Sequence, residues 1–376
     1  MQKKHLFLYL KTGGGHLAPA HSIASYINAK YGDKVNPILS DGFKGVHKWI
    51  RFAIEDGYRL SQARAIWLFE MLYAINKFKW IGSSLIVILS YFIRPHLEKQ
   101  ILDEKPAKIV IFHFFLIKPV LQILRKQMLE IPVTVVVTDP FTAHPFWFLD
   151  KGPKFIVFSE KLKEHAIQKG IQPGVISVFP FILDEKYTRP LNPLLSHSIK
   201  RNLGFDTCKK LVLILGGGDG IPKGKKILKN FLKSKTGIQV AIVCGNNHNL
   251  YKKAWELKSK HNFSNLKIFG YVDFVYELIN ISDVVVTKCG ASTFMEILIS
   301  GKIPVISNYI WEQEKGNMEF IRDNRLGLYE KSTSLLPVKV NEIIYNPDIA
   351  EIYKTNIQQK SLENGTPSVS EFIALE

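Results

Sequence analysis

Short, nearly unbroken apolar runs alternate with amphipathic stretches along most of the chain. That is the pattern of a parallel α/β protein, in which strands buried on both faces read as continuous apolar segments. In the first half, His5–Leu10, Lys34–Ser40, Ile109–Phe112, Val133–Thr138 and Lys154–Phe158 predict strands, with a last apolar piece at Val175–Val178. Ala18–Lys30, Pro119–Glu130 and Glu160–Lys169 predict the helices between them. A polar, proline-bearing stretch, Asp184–Pro193, then interrupts the pattern and reads as a linker. Beyond it the alternation restarts. Leu211–Leu215, Gln239–Val243, Lys267–Phe269, Asp283–Thr287 and Ile303–Ser307 predict strands. Lys223–Lys235, Asn249–Lys260, Val275–Ile281, Thr293–Ser300 and Glu314–Arg322 predict helices, and Val340–Glu376 reads as helical throughout. Each half opens with a strand and a glycine run, so two facing Rossmann-like domains with a cleft between them are expected. Their expected extents are 1–185 and 186–350, with 351–376 a helical segment packing back on the first domain.

The stretch Gly42–Ile93 fits neither half. Lys44, Lys48, Arg51, Arg59, Arg64, Lys77 and Lys79 are interleaved there with Phe43, Trp49, Phe52, Trp67, Phe69, Phe78 and Trp80. Packed amphipathic helices account for such a mixture. So does an interfacial surface, with aromatic rings at headgroup level and cations on anionic lipid. The longest uncharged apolar run, Trp80–Ile93, falls short of the roughly 20 residues a spanning helix needs. The N-terminal apolar stretch leads straight into glycines and reads as a first strand rather than a signal peptide. A soluble or peripheral protein is expected.

Composition narrows the class. Hydrophobic residues make up 46% of the 376 and charged residues 22%, which excludes disordered, collagen-like and coiled-coil chains. Cys208, Cys244 and Cys289 are too few and too widely spaced for a disulfide framework or a cysteine-based zinc motif, and fit a reducing, cytoplasmic setting. The formal net charge is +17. The first 200 residues carry 27 Lys and Arg against 15 Asp and Glu, and the remainder 23 against 18. A field of this sign draws nucleic acid, anionic lipid or phosphorylated ligands. No zinc finger, aromatic RNA-binding motif or helix-turn-helix pattern is present, so nucleic acid is not expected.

Four motifs carry chemistry. Thr12-Gly13-Gly14-Gly15-His16 lies between the first strand and helix, where Gly14 and Gly15 let backbone approach a ligand. His16 follows at the mouth of a crevice of the kind that holds ligands, and an imidazole there suits a general base. A helix-capping histidine fits the same position. Thr138-Asp139-Pro140, followed by His144-Pro145-Phe146-Trp147-Phe148, reads as a substrate wall, with loop capping by Asp139 the plainer alternative. Leu215-Gly216-Gly217-Gly218-Asp219-Gly220 is placed to cradle phosphates but is no Walker A motif. No Asp-x-Asp motif ends a strand in either half, so no obligatory divalent metal and no cofactor is expected. The most specific motif is Lys288-Cys289-Gly290-Ala291-Ser292-Thr293, turning from a strand into a helix that carries Glu296. Gly290, Ser292 and Thr293 would present N–H groups and hydroxyls to a diphosphate, and Glu296 would grip ribose hydroxyls. Gln313, Glu314 and Asn317, in Trp311-Glu312-Gln313-Glu314-Lys315-Gly316-Asn317, stand at a helix start where side chains reach sugar hydroxyls.

Taken together, these segments resemble glycosyltransferase family 28, within it the monogalactosyldiacylglycerol synthase and processive diacylglycerol glucosyltransferase branch. The matches are TGGGH (12–16), TDP…AHPFWF (138–148), LGGGDG (215–220), VCGNN (243–247), FGYVDFVYELINISDVVVTKCGAST (269–293) and EQEKGN (312–317). The resemblance implies a GT-B fold, a UDP-sugar (UDP-glucose or UDP-galactose) bound by the C-terminal domain, and diacylglycerol reached through the N-terminal domain. It implies an enzyme on the inner face of the cell membrane, attached peripherally to an anionic surface. By the same resemblance His16 is the base and Asp139 assists it or positions the acceptor. Trp147 lines the acceptor side, together with His144. Val272 packs on the uracil, Glu296 binds ribose, and Gln313 and Glu314 hold the donor sugar. Lys11, Leu17, Ser292 and Trp311 depart from the branch pattern: the first two bear on the acceptor, the last two on the sugar. Rival readings are an N-acetylglucosaminyltransferase of cell-wall synthesis, whose donor motif ends Gln-Gln, an NDP-sugar 2-epimerase, and a catalytically idle sugar-nucleotide sensor.

Overall fold

The computed structural model describes residues 2–11, 14–46, 51, 79–188, 191–234, 237–261, 263–310 and 312–376. The chain divides into two compact units, Met1–Glu185 with Asn364–Glu376, and Lys186–Glu363.

The first unit is built on six parallel strands: β1 (Lys3–Tyr9), β2 (Val35–Asp41), β3 (Lys108–Ile111), β4 (Val133–Val136), β5 (Lys154–Val157) and β6 (Ile176–Val178). They lie in the order β2-β1-β3-β4-β5-β6. Every residue of β3 and β4 is buried, as the unbroken apolar runs require. Helices α1 (Gly14–Tyr31), α2 (Lys79–Glu104), α3 (Ile117–Lys126) and α4 (Glu160–Gln168) connect them. Ser159 caps α4, its Oγ accepting the Leu162 N–H at 3.1 Å. Strand order reverses between β1 and β3, so the loops leaving these two strands diverge and open a crevice at their C-terminal ends.

The sequence pattern places the start of α1 at Ala18. The helix starts at Gly14 instead, with Pro19 inside it. A proline this near the start removes one hydrogen bond, the one its N–H would make to Gly15, and leaves the rest of the helix intact. Within Gly42–Ile93, residues 47–50 and 52–78 lie outside the described set, and most of the suggested interfacial aromatics with them. Phe43 is wholly buried in the core with Leu10, Leu97 and Leu116, so it belongs to packing and not to a surface.

The second unit repeats the architecture. Strands β7 (Leu211–Leu215), β8 (Gln239–Val243), β9 (Leu266–Phe269), β10 (Val284–Lys288), β11 (Ile303–Asn308) and β12 (Leu328–Tyr329) form a parallel sheet in the order β12-β11-β10-β7-β8-β9. Its helices are α5 (Pro193–Asn202), α6 (Gly224–Lys233), α7 (His248–His261), α8 (Val275–Ile281), α9 (Ala291–Ile299), α10 (Lys315–Asp323), α11 (Leu336–Tyr345) and α12 (Pro347–Gln359). Here the order reverses between β7 and β10, again next to a glycine loop.

The chain returns to the first unit in α13 (Thr366–Leu375). The Gly365 N–H donates to the Phe181 carbonyl at 2.8 Å, and Lys108, buried at the start of β3, donates to the Ile373 carbonyl at 2.9 Å. The Gly365 backbone lies so close to Pro180 that an added Cβ would stand 1.9 Å from its carbonyl oxygen. Gly365→Ala is therefore expected to cost about 1–3 kcal/mol by overpacking. Gly174→Ala, with open space around its Cα, should leave the thermal midpoint unchanged.

Candidate active site

The crevice of the first unit holds His16, half-buried in the first turn of α1. Its Nδ1 lies 3.0 Å from the Phe112 carbonyl oxygen at the end of β3 and 2.8 Å from Thr138 Oγ1 beyond β4. A carbonyl oxygen can only accept, so Nδ1 carries the proton and Nε2 keeps its lone pair. Burial pushes the His16 pKa down to about 4, opposed by the Phe112 carbonyl. The ring is thus neutral at physiological pH and presents one basic nitrogen.

His113, which stands in none of the four sequence motifs, packs directly on this ring, with centroids 4.5 Å apart. Its Nδ1 accepts the Phe115 N–H at 3.2 Å, and burial holds its pKa well below the ordinary value, with the neighbouring His16 adding to the shift. The available signal was a histidine directly after a buried strand; the run Ile-Phe-His-Phe-Phe conceals it as one more apolar segment.

Asp139 is half-buried and one oxygen accepts the Trp147 indole N–H at 3.0 Å. Trp147 is 0% exposed and belongs to the core, within 6.2 Å of the His16 ring. The expectation that Trp147 offers a face to the acceptor is corrected accordingly: a ring sealed on all sides positions Asp139 and backs His16. His144 is corrected likewise. It is buried, and its Nδ1 caps the turn Pro145–Phe148 by accepting the Phe146 N–H at 3.2 Å. Gly15 has open space where a side chain would stand.

In the second unit, β10 ends at Lys288, and Gly290, which has no side chain to cap with, stands at the N-cap of α9. The first-turn N–H groups of α9 gather partial positive charge of the kind that binds phosphate. Ser292, Thr293 and Glu296 are half-buried on α9. Lys288 Nζ would stand 2.9 Å from a Cβ at Gly290, so the ammonium lies against the same helix start. Burial alone would lower the Lys288 pKa, but the Glu314 carboxylate at 2.8 Å outweighs it and holds the pKa above the ordinary value.

Glu314 accordingly has both oxygens engaged, one by Lys288 and the other by the Ile310 N–H at 2.8 Å. The expectation that it holds the donor sugar gives way to a different role, fixing the lysine at the helix start. Gln313 beside it is half-buried, and Glu312 adopts φ 68°, a left-handed conformation rare outside glycine. Asn317 is buried and donates to the Cys289 carbonyl at 3.0 Å, bracing the turn from behind.

The glycine loop after β7 lies on the neighbouring strand. Gly217 has φ 76°, and at neither Gly217 nor Gly218 would an added Cβ meet a heavy atom within 4 Å, so a ligand can approach this backbone closely. The loop is held by the Asn246 N–H on the Gly218 carbonyl at 2.8 Å. Val272 is half-buried against the second core, in the turn between β9 and α8. Among the described residues no group of three or more His, Cys, Asp or Glu is arranged to hold a metal ion.

Buried histidines make the first unit sensitive to acid. His5 on β1 is 3% exposed, its Nδ1 has no partner among the described residues, and burial, then Lys108 and Lys3, lower its pKa to about 4. Between about pH 6.5 and 4 the unfolded chain binds a proton that folded His5 refuses. Stability present above that window is lost as pH falls through it. The loss is about 3 kcal/mol for His5. His5→Phe should flatten urea-measured stability over that window, and an unchanged slope would clear His5 of the effect.

Comparison with known proteins matches this architecture. A glycosyltransferase from Rickettsia africae superposes with a TM-score of 0.62 at 14% identity, covering 100% of this chain and 99% of that one. Anabaena HepE, solved in complex with UDP-glucose, superposes with a TM-score of 0.60 at 13% identity, over 99% and 98%. The chain has the GT-B fold. Residues 16–180 match the monogalactosyldiacylglycerol (MGDG) synthase family and residues 211–347 the glycosyltransferase family 28 C-terminal domain. The chain belongs to glycosyltransferase family 28, in its MGDG synthase branch. The probable MGDG synthase of Nicotiana tabacum is 27% identical over 353 residues, 91% of this chain and 64% of that protein. The MGDG synthase of Spinacia oleracea is 28% identical over 351 residues, 90% and 66%. The chain thus spans just under two thirds of the length of these relatives.

Proposed function

We propose that the chain is an inverting glycosyltransferase that moves a hexose, glucose or galactose, from a UDP-sugar to the free hydroxyl of diacylglycerol, making membrane glycolipid. The observation that carries this reading is His16. It is a neutral imidazole with its tautomer fixed by the Phe112 carbonyl, at the switch point of the domain that matches the MGDG synthase family. In the proposed reaction Nε2 takes the proton of the acceptor hydroxyl as that oxygen attacks the anomeric carbon. The bond from that carbon to the diphosphate breaks, and UDP leaves with the electron pair. The growing negative charge meets the α9 N–H groups and Lys288, a preorganised cradle that lowers the barrier without reorganising. Glu296 takes the ribose, Val272 the uracil, and Gln313 the sugar hydroxyls.

Diacylglycerol stays in the bilayer, so the enzyme must work at its surface. Among the described residues no helix is long and apolar enough to cross a membrane. The net charge of +17 suits peripheral attachment to an anionic leaflet, proposed here as the inner face of the cell membrane.

The test is turnover with radiolabelled UDP-glucose and UDP-galactose, separately, on diacylglycerol in liposomes containing anionic lipid. Labelled glycolipid from one donor would establish the reaction and the sugar together. Nucleotide binding with no lipid product from either donor would sink the diacylglycerol acceptor and leave the donor site standing.

A further inference from the structure

The His16 ring is held from one side by two acceptors. Nδ1 lies 3.0 Å from the Phe112 carbonyl oxygen and 2.8 Å from Thr138 Oγ1. Both acceptors are mounted at the ends of neighbouring strands. The Phe112 N–H donates to the Leu8 carbonyl at 2.9 Å, which carries the pairing of β1 with β3 to the rim of the crevice. The Val137 N–H donates to the Ile156 carbonyl at 3.0 Å and continues β4 alongside β5 up to Thr138. Just beyond, Ser159 Oγ donates to the Pro140 carbonyl at 2.6 Å and ties the loop to the start of α4. Thr138 itself is 4% exposed, and its branched side chain has few rotamers open to it.

Phe112 decides which way the Thr138 bond runs. A carbonyl oxygen only accepts, so the shared hydrogen sits on Nδ1 and the Thr138 oxygen is its second acceptor. Among the described residues no carboxylate reaches Nδ1. Asp139, next in the chain, turns one oxygen to the Trp147 indole N–H at 3.0 Å. The arrangement therefore differs from a triad, in which a carboxylate orients the base. Two neutral acceptors hold the ring without charging it at rest. They gain when Nε2 takes a proton, because a hydrogen bond from a cation is about twice as strong as one between neutral groups. Their contribution thus grows toward the transition state.

We propose that Thr138 is the positioning residue of the transfer reaction: its hydroxyl oxygen fixes the His16 ring for proton removal and stabilises the positive ring that results. One hydrogen bond, to Phe112, anchors a point of the imidazole; the second, to Thr138, fixes its plane. With Nδ1 held at the strand ends, Nε2 is directed away from them toward the incoming hydroxyl. The inference rests on the reading of His16 as the base. It gives Thr138 the part of assisting that base, which the sequence motif suggests for Asp139.

The test compares Thr138→Val, which fills nearly the same volume without the hydroxyl, with Thr138→Ser, which keeps it. In diacylglycerol liposomes kcat should fall about 10-fold in Thr138→Val, the margin by which a hydrogen bond to a charged group exceeds a neutral one. The KM for UDP-sugar and the unfolding midpoint should stay, since Phe112 still accepts the Nδ1 hydrogen. Thr138→Ser should recover most of the rate. A side chain that only packed would give the reverse order, because valine is the closer match in shape. Added to His16→Ala, Thr138→Val should cost nothing more, as expected of a residue that acts through the imidazole. A serine variant no faster than the valine one, or a further 10-fold loss in the His16→Ala background, would overturn the proposal. Thr138→Val at full rate beside an inactive His16→Ala would overturn it alone and leave the base in place. Near-full turnover in His16→Ala would overturn the base and this proposal together.

Discussion

Replacing His16 with alanine is expected to lower turnover by about 10²–10⁴-fold, the usual contribution of a positioned general base. Affinity for UDP should not change, because His16 belongs to the first unit and the α9 cradle to the second. The side chain is half-buried and its Nδ1 bridges Phe112 and Thr138, so a modest stability change accompanies the loss; calorimetry with UDP separates the two effects. With a His16 pKa of about 4, kcat/KM in the unsubstituted enzyme should show no fall near pH 6.5. Near-full turnover in His16→Ala would remove the base from the mechanism.

Glu314→Ala should do the opposite: destabilise the second unit first and impair donor binding as a consequence. Removing one partner of a buried ion pair costs about 3–5 kcal/mol. The lower end applies here, since 27% of the Lys288 side chain reaches solvent. The alanine also strands the Ile310 N–H. With its carboxylate gone, Lys288 is free to leave the α9 start, and UDP should bind more weakly. Glu314→Gln, which still accepts from Ile310, should recover much of the stability and little of the UDP affinity. If instead Glu314 met the sugar directly, Glu314→Ala would raise the KM for UDP-sugar with the unfolding midpoint and UDP affinity untouched.

The strands were legible because burial on both faces of a parallel sheet demands unbroken apolar runs, and Val133–Val136 or Leu211–Leu215 can be read no other way. The Gly290 turn was legible for a similar reason: a glycine between a buried strand and an apolar helix marks a backbone approached closely by something. What stayed hidden were roles decided by three-dimensional partners. Trp147 and His144 look like exposed recognition groups in sequence, yet one is sealed in the core and the other caps a turn. Glu314 looks like a sugar ligand until Lys288, 26 residues earlier, is seen to hold it. The short β12, Leu328–Tyr329, leaves too brief an apolar signal to announce itself.

The placement of α13 bears on how the molecule comes to exist. The second unit is one continuous stretch of chain, whereas the first is assembled from residues separated by that entire stretch. During synthesis Lys108 and Phe181 wait for partners that are translated after the second unit is complete. The half of the protein made first is thus the half whose last contacts are encoded at the end of the chain. A gene fragment ending at residue 185 would encode a domain without its own closing helix.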